Sequence, residues 1–417
     1  MKSISQKDIL LPFLLLIPCL SHLILPSGME SRMYVKIVGI PLYLPNLCYL
    51  LYLSWYPNRF KTNISAGVRK VAMLFSCATF FYAFLQLLIL KGLSDIDTTI
   101  CLIIDNFSLV YFTIIFLCFP LSWKQINNAK WLIILTNVYI SLQVIIFSTG
   151  IMSYQAETGN DLVQSDFDYA GIFRISTSVG AATGTAIVLC ILGIIINSYL
   201  DISKKLKMTL LGLFTISIFF TISRGGILTW VVYLCMIGYY NLYRKSYFKQ
   251  KLLFISIFTI SFYLFNYMGV FEPIKQRYID MSSQDISAGR EDVQKRAFKL
   301  FTSTSGVGIG SGQLYPDKSL NAIIKSPYRM APHNTYLLIL VELGIFGAIL
   351  FSFFILYVLF HLDYRTAISR MLVVIMIINL NTEGVFLNAE FYAIIALFIM
   401  CSLNTNKMSR KELFYDL

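Results

Sequence analysis

Apolar residues in this chain come in long stretches divided by short polar segments. A helix needs about 20 apolar residues to cross a bilayer, or somewhat fewer inside a packed bundle. Stretches that meet this are 9–25, 34–56, 71–91, 99–121, 131–151, 178–200, 206–222, 225–241, 252–270, 335–360, 371–382 and 385–403. The pattern predicts an all-α fold, a polytopic membrane helix bundle of about twelve transmembrane helices. Eleven is the alternative, because the last two share a tight turn and 371–382 is short. The first stretch follows Lys2 and Lys7 as a signal peptide would, but no A-x-A-like cleavage site accompanies it, so an uncleaved helix is expected.

Two polar segments stand apart, 152–177 and the long excursion 271–334. Loops of that length are usually functional. Within the second, Val293, Ala297, Leu300 and Phe301 recur at helical spacing, and Glu291 and Lys295 stand at i,i+4. This predicts an amphipathic helix on the bundle's outer surface. The organisation expected is spans 1–9 in residues 1–270, a large outer loop at 271–334, spans 10–12 in 335–403 and a tail at 404–417.

Composition agrees with lipid as the solvent. Of the 417 residues, 57% are hydrophobic and 13% charged, and the mean hydropathy is +0.69. A soluble globule carries about 25% charged residues. A cytosolic enzyme, a secreted disulfide module and a disordered chain are therefore excluded. The eight cysteines (19, 48, 77, 101, 118, 190, 235, 401) all lie in apolar stretches without a C-x-x-C, and read as small buried hydrophobes.

The net charge of +12 would raise the question of nucleic acid on a soluble domain. Here its distribution gives another cause, and no nucleic-acid partner is expected. With both termini on one side, Arg59, Lys61, Arg69, Lys70, Lys124, Lys130, Lys204, Lys205, Lys207, Arg244, Lys245, Lys249 and Lys251 gather on loops of that side, joined by Lys407, Arg410 and Lys411 of the tail. The short opposite loops hold Asp95, Asp97, Glu157, Asp161, Asp166 and Asp168. Cytoplasmic loops collect Lys and Arg, so both termini are expected in the cytoplasm.

On that topology Arg174, Arg224, Arg290 and His333 gather at the outer face. Arg224 interrupts the run Phe219–Leu228 and is followed by Gly225 and Gly226. Its planar guanidinium fork suits phosphate, and flanking backbone amides could face the same anion, although a snorkelling interfacial Arg is the plainer explanation. His333 stands where the long loop enters the tenth span, within Ala331-Pro332-His333-Asn334-Thr335-Tyr336. A neutral imidazole there can accept a hydroxyl proton, although a lone interfacial His is more often merely solvated. Glu342, inside lipid depth, must pair or be protonated, and an outer-face Arg is its expected partner. Gly344 and Gly347 read as positions where a neighbouring helix can approach. The run Gly306–Gly312 is not a phosphate-loop motif and reads as a flexible turn or close-packing segment. No H-E-x-x-H and no carboxylate pair at metal-ligand spacing occurs, so neither a metal nor a cofactor is expected.

Together these residues resemble the O-antigen ligase/polymerase family of bacterial inner-membrane glycosyltransferases. Pro332-His333-Asn334-Thr335-Tyr336-Leu337, continuing to Glu342-Leu343-Gly344-Ile345-Phe346-Gly347, is similar to that family's H-N-x-x-L…E-x-G-x-x-G entry into a late span. Ser223-Arg224-Gly225 resembles its S-R-G turn. Gly289-Arg290 followed by a helix and Gly306-Val307-Gly308 resembles the loop before its histidine. Arg174-Ile175-Ser176 with Gly180–Gly184 is similar to a segment of the lipopolysaccharide ligases. The likeness covers roughly residues 170–360.

The resemblance implies a substrate of undecaprenyl-pyrophosphate-linked oligosaccharide in the membrane lipid, handled at the periplasmic face by an inverting, metal-independent displacement. It implies Arg224 and Arg290 as the pyrophosphate clamp, Arg174 as a supporting contact, His333 as the acceptor base, and Asn334 and Glu342 as residues holding the geometry. A chain-length regulator is an expected further partner. The product is that of a polymerase, which extends the next lipid-linked repeat, or of a ligase, which caps lipid A-core. A lipid-linked oligosaccharide flippase is a further alternative, weakened by the lack of an internal repeat. So is a membrane acyltransferase, which would want an early or mid-bundle His where this chain has only His22.

Overall fold

The computed structural model describes residue 16 and residues 34–37, 40–43, 66–91, 123–149, 167–169, 172–174, 177, 182–244, 290–310, 314, 332–382 and 389–404. In chain order these hold β1 (Tyr34–Ile37), β2 (Ile40–Tyr43), α1 (Ala66–Lys91), α2 (Trp123–Asn128), α3 (Lys130–Ser148), β3 (Phe167–Tyr169) and β4 (Ile172–Arg174). There follow α4 (Ala182–Ser198), α5 (Lys204–Phe220), α6 (Arg224–Arg244), α7 (Arg290–Ser303), α8 (Thr335–Phe360), α9 (Ala367–Thr382) and α10 (Ala389–Asn404). The expected spans at 99–121 and 252–270 lie outside the described residues, as do nearly all of 9–25 and the loop residues 271–289 and 315–331.

The chain is mostly helical, with one correction to the all-α expectation. β1 pairs antiparallel with β2 in the register Ile37↔Ile40, and β3 with β4 in the register Tyr169↔Ile172. The stretch 34–56 thus opens as a hairpin and not as a helix. Tyr, Val and Ile favour strands.

Helices α3 and α8 are long and apolar enough to cross a membrane, and α4, α6, α9 and parts of α1 and α10 add shorter apolar helices. Side-chain placement points the same way. Large apolar residues such as Leu74, Phe81, Leu135, Ile349, Phe353 and Ile377 face outward, while Asn137, Ser141, Ser217, Thr229, Glu342 and Asn379 are buried. A soluble bundle sorts these types the other way, so the surroundings of these helices are lipid.

The helices alternate in direction, and contacts fix their levels. α1 runs antiparallel to α8: Gly67 lies against the Tyr357 hydroxyl, Phe75 stacks on Phe354 at 4.9 Å, and Tyr82 meets Phe346 at 4.9 Å. α4 and α6 run parallel, because the Cys190 thiol reaches the Gly226 carbonyl (3.4 Å) and Ser198 bonds Tyr233 (2.7 Å). Between those levels Gly193 admits the Trp230 ring, which a Cβ would approach to 2.8 Å. Small residues allow such close helix contact in lipid, where packing replaces the hydrophobic effect. At one end Lys130 Nζ donates to the Asp201 carbonyl (2.8 Å), and Asp201 N–H donates to Asn127 Oδ1 (2.6 Å). That level brings the start of α3 to the start of α5, with Lys204, Lys205 and Lys207. The opposite end carries the starts of α4, α6 and α8 and the ends of α1, α5 and α9.

Candidate functional site

The turn from α5 into α6 is tight and strained. Ile222 adopts φ 50 and is buried. A β-branched residue in the left-handed region is a genuine outlier, costing on the order of 1–3 kcal/mol. The Thr221 hydroxyl oxygen accepts from Ser223 N–H (3.3 Å), and Ser223 Oγ accepts from Gly226 N–H (3.4 Å), capping α6. Arg224 is the first helical residue, half-buried.

The entry into α8 repeats this device. His333 adopts φ 47, and Asn334 caps the helix by accepting from Leu337 N–H at 3.0 Å. His333 is half-buried, and Pro332 before it is buried. The preceding backbone is held from α7, where Gln294 Nε2 donates to the Pro332 carbonyl at 3.3 Å.

Two asparagines of α9 tie these turns together. Asn379 Nδ2 donates to Thr229 Oγ1 at 3.1 Å, and that hydroxyl donates to the Gly225 carbonyl at 2.8 Å. Two residues on, Asn381 Oδ1 accepts from Asn334 Nδ2 at 3.4 Å. The Tyr336 hydroxyl donates to the Met376 carbonyl (2.8 Å) and fixes α8 on α9 from the other side. The Arg224 and His333 turns therefore share one end of the bundle. No acid stands in the first turn of α4, α6 or α8. The positive ends of their dipoles favour an anion there.

The other expected residues reach this end by chain connectivity. Arg174 closes β4, three residues before Thr177, whose hydroxyl bonds Thr185 in the first turn of α4 at 2.7 Å. Three residues span at most about 10 Å. Arg290 begins α7, one turn or about 6 Å along the axis from Gln294. The amphipathic helix expected around 293–301 is thus α7, which packs Ala297 against Leu338 and Val341 of α8. Beside it an open groove of about 490 Å³ is lined by Gln294, Lys295, Phe298, Lys299 and Leu337.

Glu342 is buried, and its Oε1 accepts from Leu314 N–H at 3.1 Å. One neighbouring glycine differs from expectation. Gly344 does not admit a helix; it breaks α8, with φ 65 and ψ −166. The run Gly306–Gly310 lies along the break. Ile309 and Gly310 donate their N–H groups to the carbonyls of Val341 (2.9 Å) and Glu342 (3.0 Å), and Ile345 N–H donates to the Gly306 carbonyl (2.9 Å). Broken backbone at membrane depth is tolerated where protein satisfies it, and here the glycine run does so.

Residues 209–352 match the family model described as O-antigen ligase. That stretch, about a third of the chain, is similar to an O-antigen ligase domain. The matched segment includes Arg224, Arg290, His333, Asn334 and Glu342; Arg174 lies upstream of it. No curated protein matches the chain. An O-antigen ligase domain on apolar helices supports an integral membrane enzyme of the glycosyltransferase kind, in lipopolysaccharide biosynthesis, with lipid-linked sugars as substrates.

Sequence reasoning singled out the cations of this domain and missed the amides that level them: Asn379, Asn381, Gln294 and Gln86 of α1. A signal existed. An amide within an apolar helix needs a partner, and Asn379, Asn381 and Gln86 each interrupt apolar sequence.

Proposed function

We propose that the chain is an O-antigen polymerase of the bacterial inner membrane, with both termini cytoplasmic and its working face periplasmic. It transfers glycan from undecaprenyl pyrophosphate to the next lipid-linked repeat unit. The acceptor sugar hydroxyl oxygen attacks the anomeric carbon of the donor. The bond from that carbon to the pyrophosphate oxygen breaks, and the pyrophosphate leaves with the electron pair. The hydroxyl proton passes to the His333 imidazole.

Negative charge grows on the leaving group, where Arg224 and Arg290 act as the clamp and Arg174 as a supporting contact. Guanidinium groups already in place stabilise that charge without reorganisation. Asn334 and Glu342 serve mainly through geometry: one caps the helix behind His333, and the other holds the Leu314 backbone. The observation that carries this reading is the pair of α9 asparagines, which puts the Arg224 and His333 turns at one end. A ligase capping lipid A-core is the second reading, favoured by the description of the matched family.

A deletion strain complemented with wild type, Arg224→Ala or His333→Ala, with its lipopolysaccharide run on a gel, tests the proposal. The deletion should leave lipid A-core capped by a single repeat, and both variants should reproduce that pattern at normal expression. Loss of all capping, with polymer accumulating on undecaprenyl pyrophosphate, would make the enzyme a ligase. A normal ladder from both variants would remove the site assignment for either product.

A further inference from the structure

Gln86 lies on α1, more than a hundred residues before the segment that matches the family. It is buried, and its side chain reaches the junction described above. Gln86 Nε2 donates to the carbonyl of Glu342, at 3.0 Å, and to that of Val307. One NH₂ group thus bonds the broken helix and the glycine strap at once, and two carbonyl partners fix which end of the amide points there. One turn away Tyr82 repeats the contact, its hydroxyl donating to the Val307 carbonyl at 2.9 Å.

The strap has little freedom to sit elsewhere. Gly308 adopts φ 88, and a Cβ there would stand 2.6 Å from the Glu342 carbonyl oxygen and 2.6 Å from the Gly344 nitrogen. Ile309, beside it, is buried with Ala297, Leu314, Leu338 and Val341. The strap continues directly from the end of α7, while the other end of α7 bears Arg290 and, one turn in, the Gln294 that holds Pro332. Where the strap is fastened along α8 therefore sets where α7 lies against the His333 turn.

We propose that Gln86 is a positioning residue for the outer-face site: it fastens the Gly306–Gly310 strap into the break of α8 and so fixes α7 relative to His333. The fastening stands on geometry alone, whereas its effect on transfer rests on the proposed function. The amide comes from α1, outside the 209–352 segment, so the domain draws on the upstream bundle to complete its site.

The test uses the full chain in detergent or liposomes with Ile309→Cys as reporter, labelled by a water-soluble maleimide and compared with the same protein lacking that cysteine. Gln86→Leu, close in size but without donors, should raise labelling of the reporter about tenfold or more. In the same protein without the reporter it should lower kcat for glycan transfer about tenfold or more, with KM changed by less than about threefold. Gly308→Ala should do the same without touching α1, since its Cβ must displace the strap. Thr79→Val, at another buried position of α1, should match wild type in both measurements. Unchanged labelling in Gln86→Leu overturns the fastening. Raised labelling with unchanged transfer overturns the positioning role, provided Arg224→Ala and His333→Ala lose transfer in the same assay. If those two also keep full transfer, the proposed function has failed instead.

Discussion

The turns before α6 and α8 are built alike and present different side chains. In each, a non-glycine residue in the left-handed region precedes a capping residue whose side chain accepts from the N–H three positions on. In each, an α9 asparagine holds the helix start. At the first turn the strained residue is Ile222, buried, and the group presented is Arg224 two positions later. At the second the strained residue is His333 itself. His tolerates the left-handed region better than a β-branched residue does, so the α8 turn can hold the proposed base on the strained position, while the α6 turn keeps the strained residue apart from the proposed clamp. Strain at Ile222 is held by burial together with the Thr221 and Ser223 hydrogen bonds, and strain at His333 by the hydrogen bonds around Pro332 and Asn334.

The largest effect should come from replacing His333 by Asn. Asn also accepts the left-handed region, so the turn should survive, and expression and thermal stability should match wild type within error. An amide cannot take the acceptor proton, and transfer should fall by about 10²–10⁴. Retained activity in His333→Asn would mean that the position matters for its backbone alone, and the two turns would then differ less than argued.

Arg224 gives the next effect. Arg224→Ala should lower kcat about 10²–10³-fold, as loss of one preorganised donor does elsewhere. Arg224→Lys keeps the charge and loses the bidentate fork, so it should fall between Ala and wild type. Equal activity of Lys and Arg would reduce the role of this turn to a point charge.

Asn379→Leu probes what levels the turns. Its stability cost should be near the average for polar contacts between membrane helices, about 0.6 kcal/mol, because Thr229 keeps its bond to the Gly225 carbonyl. Transfer should fall about tenfold, since displacement of 1 Å can cost up to about 10²-fold. Thermal unfolding in detergent alongside the transfer rate separates the two.

What could be read from the sequence follows from how far each signal reaches. Helices α3, α5, α6 and α8 were legible to within a few residues because apolar length is a local property. The amphipathic α7 was legible because its spacing is local too. The contact of Gln86 with Glu342 spans 256 residues, and nothing near either residue in the chain announces it. The glycine run reads in sequence as a flexible turn or a close-packing segment, and the partner that decides for packing, the break at Gly344, needed the fold. The hairpin at 34–43 was missed because a run of apolar residues of that kind supports strand and helix equally, and length alone favoured a span.

The smallest effects lie in the caps, and they sharpen the comparison most directly. Ser223→Ala and Asn334→Ala each remove a capping acceptor, a loss of about 0.5–2 kcal/mol. The two should not be equal. Ser223 accepts at 3.4 Å, a long bond, whereas Asn334 accepts at 3.0 Å and also donates to Asn381. Asn334→Ala should therefore lower the unfolding temperature more, and it alone should slacken the link to α9. A cycle with Asn381→Ala resolves this. The Asn334 and Asn381 substitutions should combine to less than their sum, while Ser223→Ala and Asn381→Ala should add, because those two residues share no bond. Additivity in both cycles would show that the two turns are levelled by packing and not by the α9 amides.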